Sequence, residues 1–155
     1  MNYSPMNSSA YHKYLAESLA ELDRALVHLD FSSRAVAHLD SQIIHVAIDE
    51  ATLAQIEAFT SRFARVIDLF SKRVLRALDQ YEMLDPGTLL DVANRAAKRD
   101  LIPSVDWLRE LKDVRNRISH DYVGDQLPEI FQFCRQELPE LLKTCSKVKT
   151  YIENL

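Results

Sequence analysis

The scarcity of glycine is the feature that most constrains the fold of this chain. Only two glycines, Gly87 and Gly124, occur in 155 residues. Sheets joined by tight hairpin turns need residues at positive φ, which glycine supplies most readily, so a β-rich fold is disfavoured. Glycine-rich phosphate loops of the P-loop and dinucleotide-binding types are excluded too, because neither pattern can be written here. The sequence therefore predicts an all-α protein.

Apolar residues recur every three or four positions along most of the chain, as they do in amphipathic helices. The first such run is predicted to begin near Ser8 or Ser9, either of which could cap a helix. Residues 30–33 either break this helix or bend it. Residues 41–49 are predicted to be a helix end and a connection, because their β-branched cluster has no second strand to pair with. The apolar positions of the run are Leu15, Leu19, Leu22, Leu26 and Leu29, and Val36 and Leu39 extend the spacing.

A long second helix is predicted over residues 51–84, and a turn around Pro86 ends it. Thr88 is a candidate cap for the next helix, with Asp91 in the capping-box position three residues later. This shorter helix is expected to stop before Pro103.

The last two predicted helices follow the same rules. Ser104 is a candidate cap for one of them, and Trp107 begins its buried stripe. Pro128 suits the first turn of the final helix, whereas Pro139 is expected to kink or split it. Short connections between four to six helices predict an antiparallel helical bundle.

Length and composition predict one domain at residues 9–155, after a flexible leader at residues 1–8. The formal net charge of -4 disfavours a dedicated duplex-DNA binder. No apolar run approaches the ~18 residues that cross a membrane, and the amino-terminal residues lack a signal-peptide pattern. A cytoplasmic protein with neither DNA nor membrane as a partner is therefore predicted. Cys134 and Cys145 are interpreted as buried thiols, and the sequence predicts no metal and no cofactor.

Residues 115–122, RNRISHDY, concentrate more reactive side chains than any other stretch. They supply a fixed cation in Arg115, an amide in Asn116, an imidazole in His120 and a phenol in Tyr122. At ~100° per residue of a helix, the first three side chains project away from the helix's own core stripe. On the same projection, Arg115 and His120 lie about 140° apart around the axis. One helix therefore places the cation and the imidazole on two sides of a polar face.

Two such faces paired across a two-fold axis would bring two arginines and two histidines into one cleft. An imidazole exchanges a proton near neutral pH, so His120 could assist attack by an RNA 2′-hydroxyl on the adjacent phosphate. Arg115 could hold the phosphoryl oxygens as negative charge builds, and Asn116 could orient the imidazole or bond a phosphate oxygen. None of these steps needs a metal. From the residues alone, a capping, surface or dimer-contact role is favoured over a catalytic one at this point.

Further basic residues are candidates for contacts along an RNA backbone. Arg117 belongs to the same stretch, and Arg95, Lys98 and Arg99 form a small cluster upstream of it. Such residues can track phosphates, although a solvated helix face would show the same pattern.

The string RNRISHDY resembles the signature of the HEPN domain, a family of helical bundles. That signature is an arginine, a polar residue, three variable residues and a histidine, which here correspond to Arg115, Asn116 and His120. Tyr122, two positions beyond the histidine, extends the similarity to HepT-like toxins of HEPN/MNT toxin–antitoxin pairs.

The resemblance continues outside the signature. Residues 88–155 look like the related nucleotidyltransferase substrate-binding proteins. The long second helix is similar to the aromatic-rich helix of the family through Phe63, Asp68, Leu69 and Phe70. The first helix is similar in type only.

What the resemblance implies is a HEPN-like dimer that acts as a metal-independent endoribonuclease, with Arg115 and His120 of both protomers in the site. It also implies a cognate MNT-type nucleotidyltransferase antitoxin that transfers AMP to a tyrosine, which by motif position is Tyr122. An alternative is a non-catalytic substrate-binding subunit of a nucleotidyltransferase complex, because such relatives share much of this pattern.

Overall fold

A computed structural model describes residues 8–40, 48–121 and 124–155 of the chain. No strand occurs in these ranges, and the predicted all-α helical bundle is confirmed. The elements are α1 (Ser8–Val36), α2 (Glu50–Asp68), the π-helical segment (Leu69–Val74), α3 (Leu75–Tyr81), α4 (Leu89–Lys98), α5 (Val105–His120) and α6 (Leu127–Glu153). The π-helical segment joins α2 to α3 without interruption, so these three elements together are called the central rod.

The central rod lies in the middle of the bundle because its aromatic residues are buried against several partners. Phe59, Phe63 and Phe70 expose no surface to solvent. Phe59 meets Phe131 of α6 edge to face, with ring centroids 5.9 Å apart. Close packing of this kind makes the core rigid, and α1, α5 and α6 all pack against α2. Side chains of α5 are therefore presented to the rod at defined positions.

The first helix is continuous where the sequence left a choice. α1 runs to Val36 without a break at residues 30–33. Leu39 is buried beyond the end of the helix, so it extends the core but not the helix. The predicted connection at residues 41–49 is described only from Ile48 onward, and of the predicted leader only Ser8, where α1 begins, is described.

The turn between α3 and α4 is built around the capping box that the sequence predicted. The Thr88 Oγ1 accepts a hydrogen bond from the Asp91 N–H, and the Asp91 carboxylate accepts one from the Thr88 N–H. A Cβ atom at Gly87 would lie 2.6 Å from that carboxylate, so only glycine leaves room for the box. The rod itself ends at Tyr81, slightly before the predicted limit.

The last helix is continuous through Pro139. α6 runs unbroken from Leu127 to Glu153, so of the two predicted outcomes the split is wrong, and the kink stays a prediction. Pro139 is exposed, whereas Cys134 and Leu141 on either side of it are buried. Packing on both sides thus stabilises the helix across the one backbone hydrogen bond that a proline cannot donate.

Both cysteines of α6 are buried and free, as predicted. Burial raises the pKa of the Cys134 thiol, and it raises the pKa of Cys145 to about 12. Neither thiol is therefore ionised at neutral pH. None of the described helices is both long enough and apolar enough to span a lipid bilayer.

Candidate functional site

The position of α5 and its rotation about its own axis are set by its amino-terminal cap and by its buried stripe. The Ser104 Oγ accepts a hydrogen bond from the Trp107 N–H at 3.0 Å, which confirms the predicted cap. Trp107, Leu111 and Val114 are buried, and the Trp107 indole N–H donates to Glu137 of α6 at 3.1 Å. With this stripe held against the core, the positions of Arg115, Asn116 and His120 around the helix follow from the helical repeat.

Arg115 is oriented by a carboxylate of the central rod. Its Nε lies 2.9 Å from both carboxylate oxygens of Asp68, and its Nη2 lies 2.9 Å from Oδ2. Its Nη1 donates to the Ser119 Oγ at 3.0 Å. Only 26% of the arginine side chain is exposed. The helical projection suggested that the guanidinium points away from the core into solvent. In the structure it is instead half-buried against α2.

Asp68 is the residue that the sequence analysis missed as part of the site. Besides Arg115, it contacts the Lys112 Nζ at 3.3 Å and the Lys72 Nζ at 3.7 Å. The Lys112 Nζ also donates to Ser71. Three cations therefore surround one carboxylate, and positive charge is in excess here. We call Asp68, Lys72, Lys112 and Arg115 the Asp68 cluster.

A local change of helix type underlies the cluster. The π-helical segment begins directly after Asp68 and contains Ser71 and Lys72. At its end the Leu75 N–H donates to the Phe70 carbonyl, five residues back. Single π turns inside α-helices are often found at functional sites. A periodicity of 3.6 residues does not reveal such a turn, so it could not be predicted from the apolar spacing.

Burial and the neighbouring charges have opposite effects on the pKa values of Asp68 and Lys112. Partial burial of Asp68 opposes its ionisation, but the hydrogen bonds from Arg115 and Lys112 outweigh this and hold its pKa below the ordinary value. Burial lowers the pKa of Lys112, and its pairing with Asp68 offsets this only in part. Asp68 is therefore fully ionised at neutral pH and keeps the guanidinium of Arg115 in place.

An open groove runs beside the cluster between α2 and α5. Its volume is about 390 Å³, and its walls include Arg65, Asp68, Arg115 and Ser119. Arg65 is exposed, so cations stand on both walls. An excess of arginine over carboxylate in such a concavity favours an anionic ligand.

Asn116 lies on the other flank of α5. It lines a separate pocket of about 340 Å³ between α4 and α5. The structure thus divides the polar face predicted from the helical projection: Arg115 and Ser119 face α2, and Asn116 faces α4. His120 is the last residue of α5 and is exposed. Tyr122, the predicted modification site, lies outside the described residues.

The basic residues proposed as RNA contacts do not form one surface. Arg99 is only 11% exposed, and it pairs with Asp79 at 2.8 Å and with Glu82 at 2.6 Å. Arg95 pairs with Asp79 as well and donates to the Asp85 carbonyl. A buried carboxylate of α3 thus engages both arginines, and their role as RNA contacts stays a prediction.

Lys98 and Arg117 are the other two residues that the sequence predicts as RNA contacts. Lys98 is exposed, and its role as an RNA contact stays a prediction. Arg117 donates to Gln126 at 2.8 Å and pairs with Glu129 of α6 at 3.0 Å. It ties the carboxyl end of α5 to the start of α6, across the connection that contains Tyr122.

Acidic and sulfur-bearing residues do not gather into a potential metal site anywhere in the described part of the chain. No protein-family model, curated protein or solved structure matches the chain. The resemblance of residues 115–122 to the HEPN signature thus stays a prediction, and the geometry around Arg115 is the basis on which a function can be argued.

Proposed function

We propose that this chain is the toxin of a toxin–antitoxin pair and acts as a homodimeric, metal-independent endoribonuclease. The observation that carries the proposal is the position of Arg115. Its guanidinium is held by Asp68 at the edge of an open groove, on the same helix end as His120. An arginine to stabilise the developing charge and a histidine to transfer protons are the groups that metal-independent RNA cleavage through the 2′-hydroxyl requires.

The charge balance supports an RNA phosphate as the bound group. Lys72 and Lys112 share the Asp68 carboxylate with Arg115, so one negative charge does not neutralise the cluster. A guanidinium carries five N–H donors. Ser119 takes one N–H of Nη1, and no other described residue accepts a hydrogen bond from that nitrogen, so its second N–H is open to a phosphoryl oxygen.

The proposed reaction transfers two protons and replaces the bond from phosphorus to the 5′-oxygen with a bond to the 2′-oxygen. The imidazole of His120 accepts the proton of the 2′-hydroxyl while its oxygen forms a bond to phosphorus. The bond from phosphorus to the 5′-oxygen breaks, and the imidazolium of the second protomer delivers a proton to that oxygen. Arg115 stabilises the negative charge on the non-bridging oxygens. The products are a 2′,3′-cyclic phosphate and a 5′-hydroxyl.

A dimer is part of the proposal because one protomer directs its two groups apart. Arg115 turns toward α2, whereas His120 sits at the terminus of α5. Two copies of α5 related by a two-fold axis would supply a base and an acid to the same cleft.

The test compares histidine variants of the purified protein. His120→Ala should abolish RNA cleavage and growth inhibition, whereas His28→Ala, which removes an exposed histidine of α1, should leave both unchanged. Wild-type products should carry 2′,3′-cyclic phosphate ends, and a chelator should have no effect. Full cleavage by His120→Ala, or loss of cleavage on chelation, would refute the proposal.

Neutralisation by a cognate nucleotidyltransferase is the second part of the proposal. An AMP group on Tyr122 would place bulk and negative charge two residues from His120, where the RNA phosphate must bind. Mass spectrometry after incubation with the partner enzyme and ATP should locate one AMP on Tyr122. An adduct that persists in Tyr122→Phe would show that another residue is the acceptor.

A non-catalytic binding subunit of a nucleotidyltransferase complex is the alternative. The commitment of Arg115 to Asp68 and Ser119 favours it, because these contacts also give the arginine a structural role. A stable complex with the nucleotidyltransferase, combined with no cleavage by the pure dimer, would support this alternative over the toxin.

A further inference from the structure

The pocket between α4 and α5 has a composition that the cleavage reaction does not explain. Its floor is apolar and includes Leu89, Ala93 and Leu108, of which the last two are buried. Leu90 stands at its edge with 49% of its surface exposed. An apolar concavity with a few polar groups at one end is the usual form of a small-molecule or base-binding site.

The polar end of the pocket is formed by Asp113 and Asn116. Both side chains are exposed, and no hydrogen bond joins either of them to another described residue. They lie three residues apart on α5, so they occupy neighbouring positions on one face. A carboxylate accepts hydrogen bonds only, whereas a side-chain amide both donates and accepts.

The pocket and the groove of the proposed cleavage site lie on two flanks of the same helix, α5. Asn116 directly follows Arg115 in the helix. Lys112 links the two places physically, because it lines the pocket while its ammonium group reaches Asp68. Arg109 adds an exposed cation at the rim. A ligand that occupied both places would thus have a flat apolar part and phosphate groups.

We propose that this pocket binds a base of the RNA, specifically one that carries an exocyclic amino group; this rests on the proposed ribonuclease function. An unstacked base can lie on the apolar floor and present its edge to side chains. An adenine would donate its amino hydrogens to Asp113 and to the Asn116 carbonyl oxygen, and accept from the Asn116 amide. Uracil in the same orientation would present a carbonyl oxygen to the Asp113 carboxylate and would therefore bind more weakly. The pocket therefore determines which nucleotide lies beside the cleaved phosphate.

Binding of mononucleotides tests the pocket independently of cleavage, because neither AMP nor UMP can be cut. Titration calorimetry with wild-type protein should show AMP binding roughly tenfold more tightly than UMP. Asp113→Asn should reduce or reverse this ratio, since an amide can donate to the uracil carbonyl. Glu110→Gln removes the same charge from an exposed position of α5 outside the pocket and should leave the ratio unchanged. Equal binding of AMP and UMP, or a ratio that Asp113→Asn does not alter, would overturn the proposal.

A second comparison distinguishes RNA from a free nucleotide as the source of the base. A 2′-O-methyl tetramer of adenylate resists cleavage but retains its phosphates. It should bind more tightly than AMP at low salt, and the advantage should shrink as salt rises, because contacts to phosphate release counterions. Equal affinities of tetramer and AMP would assign the pocket to a free nucleotide and refute an RNA base. Retained AMP preference in a protein that cleaves no RNA would instead refute the ribonuclease function.

Discussion

Asp68 and Asp79 are carboxylates of the same central rod, and arginines from later helices bind both. Asp79 is almost completely buried and pairs with Arg95 and Arg99. Glu82 adds a second carboxylate by pairing with Arg99 at 2.6 Å and by accepting a hydrogen bond from the Tyr151 hydroxyl at 2.6 Å. Positive and negative charges are thus balanced in what we call the Asp79 network.

The Asp68 cluster differs in charge and in exposure. Three cations contact its one carboxylate, 27% of the Asp68 side chain is exposed, and an open groove lies alongside. The Asp79 network joins α3, α4 and α6, and its central pair, Asp79 and Arg99, is only 5% and 11% exposed. The comparison teaches that balanced, buried charges hold helices together, whereas an excess of cations beside a groove is suited to bind an anion.

Removal of the central charge of the Asp79 network should have the largest effect on stability. Asp79→Asn leaves Arg99 buried with only Glu82 as a partner, and breaking a buried ion pair costs roughly 3–5 kcal/mol. Urea denaturation should show this loss in the free energy of unfolding, and RNA cleavage by the folded protein should persist. The matched control is Asp85→Asn, an exposed carboxyl in the turn after α3, which should change the unfolding free energy by less than ~0.5 kcal/mol. If Asp79→Asn were as stable as the wild type, the assignment of a stabilising role to the Asp79 network would be contradicted.

Removal of the arginine of the Asp68 cluster should greatly reduce RNA cleavage but have little effect on stability. Arg115→Ala should lower the rate constant of RNA cleavage by roughly 10²–10³-fold, because a positioned donor to the developing charge is lost. Asp68 keeps its contacts with Lys72 and Lys112, so the unfolding free energy should fall far less than in Asp79→Asn. Arg24→Ala, at an exposed position of α1, is the control for a general loss of positive charge. Cleavage at the wild-type rate by Arg115→Ala would contradict the assigned role.

Neutralisation of Asp68 separates the positioning of Arg115 from its charge. Asp68→Asn should lower kcat on the order of tenfold, because the guanidinium is no longer held in one orientation. The same variant should bind RNA more tightly and with a steeper salt dependence, since the cluster gains net positive charge. If Asp68 had a purely structural role, Asp68→Asn would lower the free energy of unfolding without lowering kcat and strengthening RNA binding at the same time. Measurements of kcat and RNA affinity at several salt concentrations would distinguish a positioning role from a structural one.

The smallest expected effect is the contribution of Asp68 ionisation to stability as the pH changes. The pKa of Asp68 is held below its ordinary value by Arg115 and Lys112 against the effect of burial. Its contribution is therefore fully present above the ordinary pKa of ~3.9 and is lost as the pH falls through the lower value in the folded state. The difference in unfolding free energy between wild type and Asp68→Asn should be constant from pH 7 to pH 5 and narrow in stronger acid. A difference that narrows already at pH 6 would contradict the direction of the shift.

Much of the fold could be predicted from the sequence because its signals are local. The capping box of Thr88 and Asp91, the Ser104 cap and the position of Pro128 in the first turn of α6 all involve residues within one helical turn. Apolar periodicity also identified the buried stripe of α5 correctly. Pro139 was the exception, because the stability of α6 around it comes from packing against the rest of the bundle.

The candidate site could be predicted only in part. The sequence singled out Arg115, Asn116 and His120 because reactive side chains lie close together in it. It could not show that Arg115 would bind Asp68, a residue 47 positions away, nor that Asn116 would face a different pocket. Pairings over such distances depend on how helices pack and on the π-helical segment after Asp68, which leave no trace in local spacing.

By itself the sequence thus determined the helices, the caps of α4 and α5, most of the buried residues and the side chains available for chemistry. Only the tertiary structure decided the use of each charge. Arg99 and Arg115 both lie near the carboxyl end of a helix, yet one is enclosed by two carboxylates and the other lies beside an open groove. The physical reason is that the free energy of a charged group depends on its burial and on its partners, and helix packing sets both.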